Sequence, residues 1–130
     1  MSVNMTALNQ YKTVNLGAAV ATASPHQLIA MLYDGALTSL AQAKGALERK
    51  DIQARTTELN RATSIILGLQ DFLDYDKGAE IAENLGRLYD YIIRTIIDAN
   101  REMDADKVQE AMDLLLEIKR GWTGMPIDVK

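Results

Sequence analysis

The stretch Thr22–Leu37, TASPHQLIAMLYDGAL, begins as a helix begins and then carries more apolar residues than one buried face requires. Ser24 is placed to accept a hydrogen bond from the Gln27 amide, and Gln27 can reach back to Ser24. Pro25 falls in the first turn, where its missing N–H costs nothing. Beyond this capping box, Leu28, Ile29, Leu32, Ala36, Leu40, Ala43 and Leu47 lie within roughly 120° of one another at about 100° per residue, the width of a core stripe. Tyr33 and Leu37 flank that stripe. Met31 points roughly 120° away from its centre.

The rest of the chain repeats the pattern. Two prolines, Pro25 and Pro126, bracket a long proline-free interior, as expected of a helical domain. Helices are predicted over residues 25–48, 52–74, 78–102 and 105–122. Lys50-Asp51 breaks the first pair, Leu73 to Gly78 forms a turn, and Asn100 to Asp104 forms the last, with Asp104 as a cap. Connections this short make consecutive helices antiparallel neighbours. The predicted fold is therefore all-α: an antiparallel up-down-up-down four-helix bundle over residues 24–123. A mobile N-terminal arm (1–23) precedes it and a flexible C-terminal tail (124–130) follows.

Composition sets limits on function. A chain of 130 residues, 48% hydrophobic and 25% charged, has the makings of one globular core. A formal charge of −4 argues against a nucleic-acid or anionic-membrane surface, which needs clustered Lys and Arg. The absence of cysteine excludes disulfides and thiolate metal sites. No run approaches the ~20 apolar residues of a membrane span. Leu16 to Ala23 is too short, and too poor in preceding basic residues, for a secretory signal.

Face assignment leaves a surplus. In the second helix Leu59, Ala62, Ile66, Leu69 and Leu73 form the expected stripe, with Ile65, Leu67 and Phe72 outside it. In the third, Ile81, Leu85, Leu88, Ile92, Ile96, Ala99 and Met103 form the expected core face. Tyr89, Ile93 and Ile97 make a second ridge beside it, continued toward its start by Ala82 and Gly86. The fourth is expected to bury Val108, Ala111, Met112, Leu115, Ile118 and Trp122, with Leu114 and Leu116 extra. Two readings stay open: wide stripes that meet two neighbours in a four-helix core, or a contiguous apolar surface for a partner.

Catalytic and metal chemistry find little to work with. His26, the single histidine, sits in a first helical turn with no proton-relay partner in sight. One histidine cannot supply the paired Glu-x-x-His motifs of a di-iron bundle. Asp71, Asp74 and Asp76 lack the spacing of an EF-hand, and no glycines form a phosphate loop. No enzyme, metal site or cofactor is expected. In the arm, Met5, Leu8 and Tyr11 are spaced as a weak amphipathic pattern before a run of small residues. The arm reads equally as a disordered tail or as a plug over the spare apolar surface.

The combination of motifs resembles one family. Tyr11-Lys12, then Thr22-Ala23-Ser24-Pro25 with Leu28-Ile29 and Met31-Leu32-Tyr33-Asp34-Gly35-Ala36, then Gly78, Ile81-Ala82, Asn84-Leu85, Leu88-Tyr89, Ala99-Asn100 and the closing Trp122 occur in the order seen in FliS-type flagellin export chaperones. The resemblance implies a non-enzymatic cytoplasmic chaperone of flagellated bacteria. It would bind the disordered C-terminal segment of flagellin, prevent premature polymerisation and assist delivery to the flagellar type III export apparatus. By the same resemblance Tyr11 caps the groove or contacts the client, and Tyr33 and Tyr89 suit a groove rim. With Leu8, Met31, Leu37, Ile93 and Ile97 from the face analysis, these form the expected partner-binding set. The alternative from another class is a homo-oligomeric structural bundle or a general protein-interaction adaptor. Whether an export-gate component, flagellin regulators or a second copy of the chain also bind is left open.

Overall fold

The computed structural model describes residues 24–73 and 78–124, and all of its regular elements are helices. They are α1 (Pro25–Arg49), α2 (Ile52–Asp71), α3 (Ala79–Glu102) and α4 (Ala105–Gly124). The arm 1–23 with Leu8 and Tyr11, the turn residues 74–77 and the segment 125–130 lie outside the described residues.

Local chemistry fixes the helix starts within one residue of the expected positions, while α2 ends at Asp71 rather than at 74 and α4 runs on to Gly124. Ser24 accepts from the Gln27 amide at 3.2 Å while the Gln27 side chain accepts from the Ser24 amide at 2.9 Å, completing the capping box. Asp51 caps α2 through the Ala54 amide at 3.1 Å, and Asp104 takes the Asp106 amide at 2.9 Å at the start of α4. Lys50 and Met103 end α1 and α3 in the left-handed region, φ 60° and 53°. Each lets the chain reverse within two or three residues.

Side-chain bonds between neighbouring helices show the antiparallel course. Lys44 near the end of α1 donates to Gln109 near the start of α4 at 2.8 Å, and Lys119 late in α4 pairs with Asp34 early in α1. Arg55 at the start of α2 donates to Asn100 at the end of α3 at 2.9 Å; Gln70 at the end of α2 donates to the Gly86 carbonyl of α3 at 3.2 Å. Each helix packs chiefly against two others, α1 on α2 and α4, α3 on α4 and α2. The result is a four-helix bundle around one core that includes Leu32, Leu40, Leu59, Ile66, Leu69, Ile92, Ile96 and Leu115.

Two face assignments are corrected. Ile65, expected outside the α2 stripe, is buried, because α2 meets both α1 and α3 and its apolar arc is correspondingly wide. The larger correction concerns α3. Its buried face is Ala82, Gly86, Tyr89, Ile92, Thr95, Ile96 and Ala99, so the ridge expected to lie beside the core is the core face over the first half of the helix. Ile81 and Leu88, expected inside, are 53% and 40% exposed, and Met103 is exposed in the left-handed cap. The small side chains of Ala82 and Gly86 let the α3 backbone approach α2, where Gln70 reaches the Gly86 carbonyl. Tyr89 then turns inward to a partner that periodicity along one helix cannot reveal.

Candidate functional site: an apolar groove between α3 and α4

The rotation of α3 that buries Tyr89 turns its larger side chains toward α4. Ile81, Leu85 and Leu88, at i, i+4 and i+7, make one wall of an open groove of about 500 Å³. Leu114, Ile118 and Trp122, at i, i+4 and i+8 on α4, make the other, and Tyr33 of α1 contributes to the lining. Because the two helices are antiparallel, the start of α3 faces the end of α4, and the groove lies at the bundle end where α1 begins. There the His26 and Trp122 rings stand 5.3 Å apart, centroid to centroid. Glu117 is the one ionisable group in the aliphatic and aromatic lining apart from the Tyr33 phenol. Such a surface has little to offer a charged metabolite. It suits apolar side chains presented at helical spacing, the mode in which an amphipathic segment lies in a groove.

Beneath the groove, the hydroxyls of Tyr33 and Tyr89 are hydrogen-bonded to each other. Both residues are buried, at 1% and 2% exposure, so the expectation that they form an exposed rim is corrected. A buried phenol retains its proton because burial disfavours the anion. Desolvation pushes the Tyr33 phenol up to about 12, against a lowering by the bond from Tyr89. Tyr89 is raised for the same first cause, reinforced by Tyr33. The pair is a neutral polar contact that ties α1 to α3 across the core.

The other expected partner residues do not come together as one surface. Met31, Leu37 and Ile93 are half-buried against the core, whereas Ile97 is 56% exposed toward the opposite end of α3 from Ile81. Leu8 and Tyr11 lie outside the described residues. The apolar groove residues outside the expected partner set are Ile81, Leu85, Leu88, Ile118 and Trp122, all expected in the core, and Leu114, an expected extra; the α3 wall is the part whose facing differs. A signal for that wall was present in Ala82 and Gly86, since small residues one step along a helix mark the side of close backbone approach.

A second cleft between α3 and α4, about 170 Å³, is lined by Tyr91, Arg94, Thr95, Asp98, Lys107 and Glu110. Its polar groups largely serve one another or their neighbours: Tyr91 donates to Glu110 at 2.5 Å, Thr95 donates to the Tyr91 carbonyl at 2.9 Å, and Lys107 pairs with Glu102 at 3.2 Å. Among the described residues, no group of three or more His, Asp or Glu side chains is placed to hold a metal ion, and no helix is long and apolar enough to cross a membrane.

The sequence matches a family model described as "Flagellar protein FliS" over residues 7–128. The chain is 44% identical over 121 residues to the flagellar secretion chaperone FliSB of Pseudomonas aeruginosa, an alignment covering 93% of this chain and 96% of that protein. It is 45% identical over 116 residues to the flagellar secretion chaperone FliS of Salmonella typhimurium, covering 88% and 86% of the two chains. Similarity extends to the flagellar secretion chaperone FliS of Bacillus subtilis, 30% identical over 103 residues, covering 79% and 76%.

Proposed function

Since the chain belongs to the FliS family of flagellar proteins, we propose that it is a cytoplasmic, non-enzymatic export chaperone whose client is the C-terminal segment of flagellin. Bound here, that segment is withheld from premature polymerisation and handed on to the flagellar type III export apparatus. The observation that carries the reading is the α3–α4 groove, walled by Ile81, Leu85, Leu88, Leu114, Ile118 and Trp122 on a chain whose relatives are flagellar secretion chaperones. A monomeric bundle gains nothing by leaving two exposed large aliphatics on one helix face. A client that brings matching apolar residues gains about 25 cal/mol for each Å² they bury together. Ordering a disordered segment takes back ~2–5 kcal/mol or more, so contacts must extend past the groove. Met31, Leu37 and Ile97 are proposed to supply part of that extension, with Tyr33 beneath the groove and Leu8 and Tyr11 as arm residues that cover or lengthen it.

Calorimetric titration with a peptide of the flagellin C-terminal segment tests this. Saturable binding, a gain of helicity in circular dichroism, and at least tenfold weakening by Ile81→Asp or Leu88→Asp in folded protein are expected. A stable dimer that ignores the peptide, or binding indifferent to both substitutions, would overturn it.

A further inference from the structure

Two arginines of α3 lack the carboxylate that their surroundings could supply. Arg87 and Arg94 are exposed and seven residues apart, so they leave the helix on one strip, about 10 Å from each other along its axis. Arg94 lines the polar cleft and makes no hydrogen bond or ion pair among the described residues. The acids one turn to either side of it, Asp90 and Asp98, are engaged elsewhere: Asp90 accepts from Gln70 of α2 at 2.8 Å, and Asp98 pairs with Arg101 at 2.9 Å. With Glu110 holding the Tyr91 hydroxyl and Lys107 paired with Glu102, Arg94 is left as the unpaired charge of that cleft. Arg87 donates to the neutral Asn84 amide at 2.6 Å and not to Glu83, one turn before it. Asn84 falls between Ile81 and Leu88 at i, i+3 and i+7, which leans Arg87 toward the groove. On the opposite wall, α4 carries Glu117. The α3–α4 seam therefore has an apolar floor, a cationic edge on α3 and an anion on α4.

We propose that Arg87 and Arg94 receive two carboxylates, seven residues apart, on one edge of an amphipathic helical client whose apolar stripe lies in the α3–α4 groove. A helix brings its edge positions back every seven residues. A second helix along the seam thus presents its i and i+7 side chains at the separation of the two guanidiniums. The forked geometry of arginine suits a carboxylate better than a lysine would. The client edge beside Glu117 is neutral or basic, because a carboxylate there meets like charge. Turning the client end for end with its apolar stripe still down exchanges its two edges, so the same charges fix the direction in which the segment lies. The proposal rests on the groove being the client's seat, and adds a selection by charge that apolar burial alone cannot make.

Three designed helical peptides test this against the full chain. They share one leucine stripe and differ at two positions seven residues apart beside it, which are both Glu, both Gln or both Lys. Fluorescence titration should rank them in that order, the Glu peptide about tenfold tighter than the Lys peptide at low salt and most of that ratio lost at high salt. Arg87→Glu/Arg94→Glu should invert the order, and Arg87→Gln/Arg94→Gln should abolish it. Both double variants should keep the helicity of the unaltered chain, since the two side chains are exposed. Ile81→Asp should weaken all three peptides, which places them in the groove. Equal binding of the three, binding of none, a preference that outlives the double Gln variant, or binding indifferent to Ile81→Asp overturns the proposal. The flagellin reading is judged separately: a chain that prefers the Glu peptide yet ignores the flagellin C-terminal segment retains the charged edge and loses that client.

Discussion

The Tyr33 hydroxyl is hydrogen-bonded to the Tyr89 hydroxyl inside the bundle, across the core between the diagonally placed α1 and α3. Removing one member leaves the other buried without this partner, which costs about 1–3 kcal/mol. Tyr33→Phe and Tyr89→Phe should each lower the urea midpoint accordingly. The double variant should lose clearly less than the sum of the two, because neither remaining ring has a hydroxyl to satisfy. Strict additivity would mean the two hydroxyls act independently.

Alkaline pH acts on the same pair. Both phenols bind their protons more tightly folded than unfolded, so the unfolded chain ionises first as pH rises. Their stabilising contribution is complete below the ordinary tyrosine value of 10.0; that of Tyr33 is lost as pH climbs toward about 12, and that of Tyr89, raised further, persists to higher pH. For Tyr33 this amounts to at most about 3 kcal/mol, at ~1.4 kcal/mol per pH unit. Denaturation measured from pH 8 to pH 12 should show a level region followed by a decline beyond pH 10. That decline should be shallower in the double Phe variant.

Ile93 and Ile97 lie one turn apart on α3 and should respond oppositely to Asp. Ile93 packs against the core, so Ile93→Asp should destabilise by at least ~2 kcal/mol through an unpaired charge at a half-buried site. Ile97 is exposed, and Ile97→Asp should change stability by less than ~0.5 kcal/mol. Chemical denaturation of the two variants checks both; equal losses would show that α3 turns a different face inward.

The capping box at Ser24 should be worth about 1 kcal/mol. Ser24→Ala removes the acceptor for the Gln27 amide and should lower the melting temperature by a few degrees. Ser24→Asn should recover most of the loss, since its side-chain oxygen can take the same bond.

Much of the architecture was legible because it is written in local terms. The capping box, the Asp51 break and the Asp104 cap depend on residues three or fewer positions apart, and helix length and short turns follow from them. The phase of α3 was harder to read. Its two apolar ridges differ by one residue, about 100°, and hydrophobicity favoured Ile81, Leu85 and Leu88 over Ala82, Gly86 and Tyr89. What decides between them lies elsewhere in the chain: Tyr33, 56 positions from Tyr89, and Gln70, 16 positions from Gly86. The surplus divided accordingly. Tyr33, Tyr89 and Ile65 joined the core as a wide-stripe reading allows, while three residues counted as core became a groove wall.

The first turns of α3 begin at Gly78 with no side-chain cap and carry Ile81 and Leu88 into solvent. Backbone amides there should exchange with deuterated solvent through local opening, ahead of those in the well-buried middle of the bundle. Anything that fills the groove binds only the closed form of this segment and so slows that exchange. The degree of slowing converts into a binding free energy, so the fraying of one helix end becomes a gauge of occupancy that needs no label on either molecule.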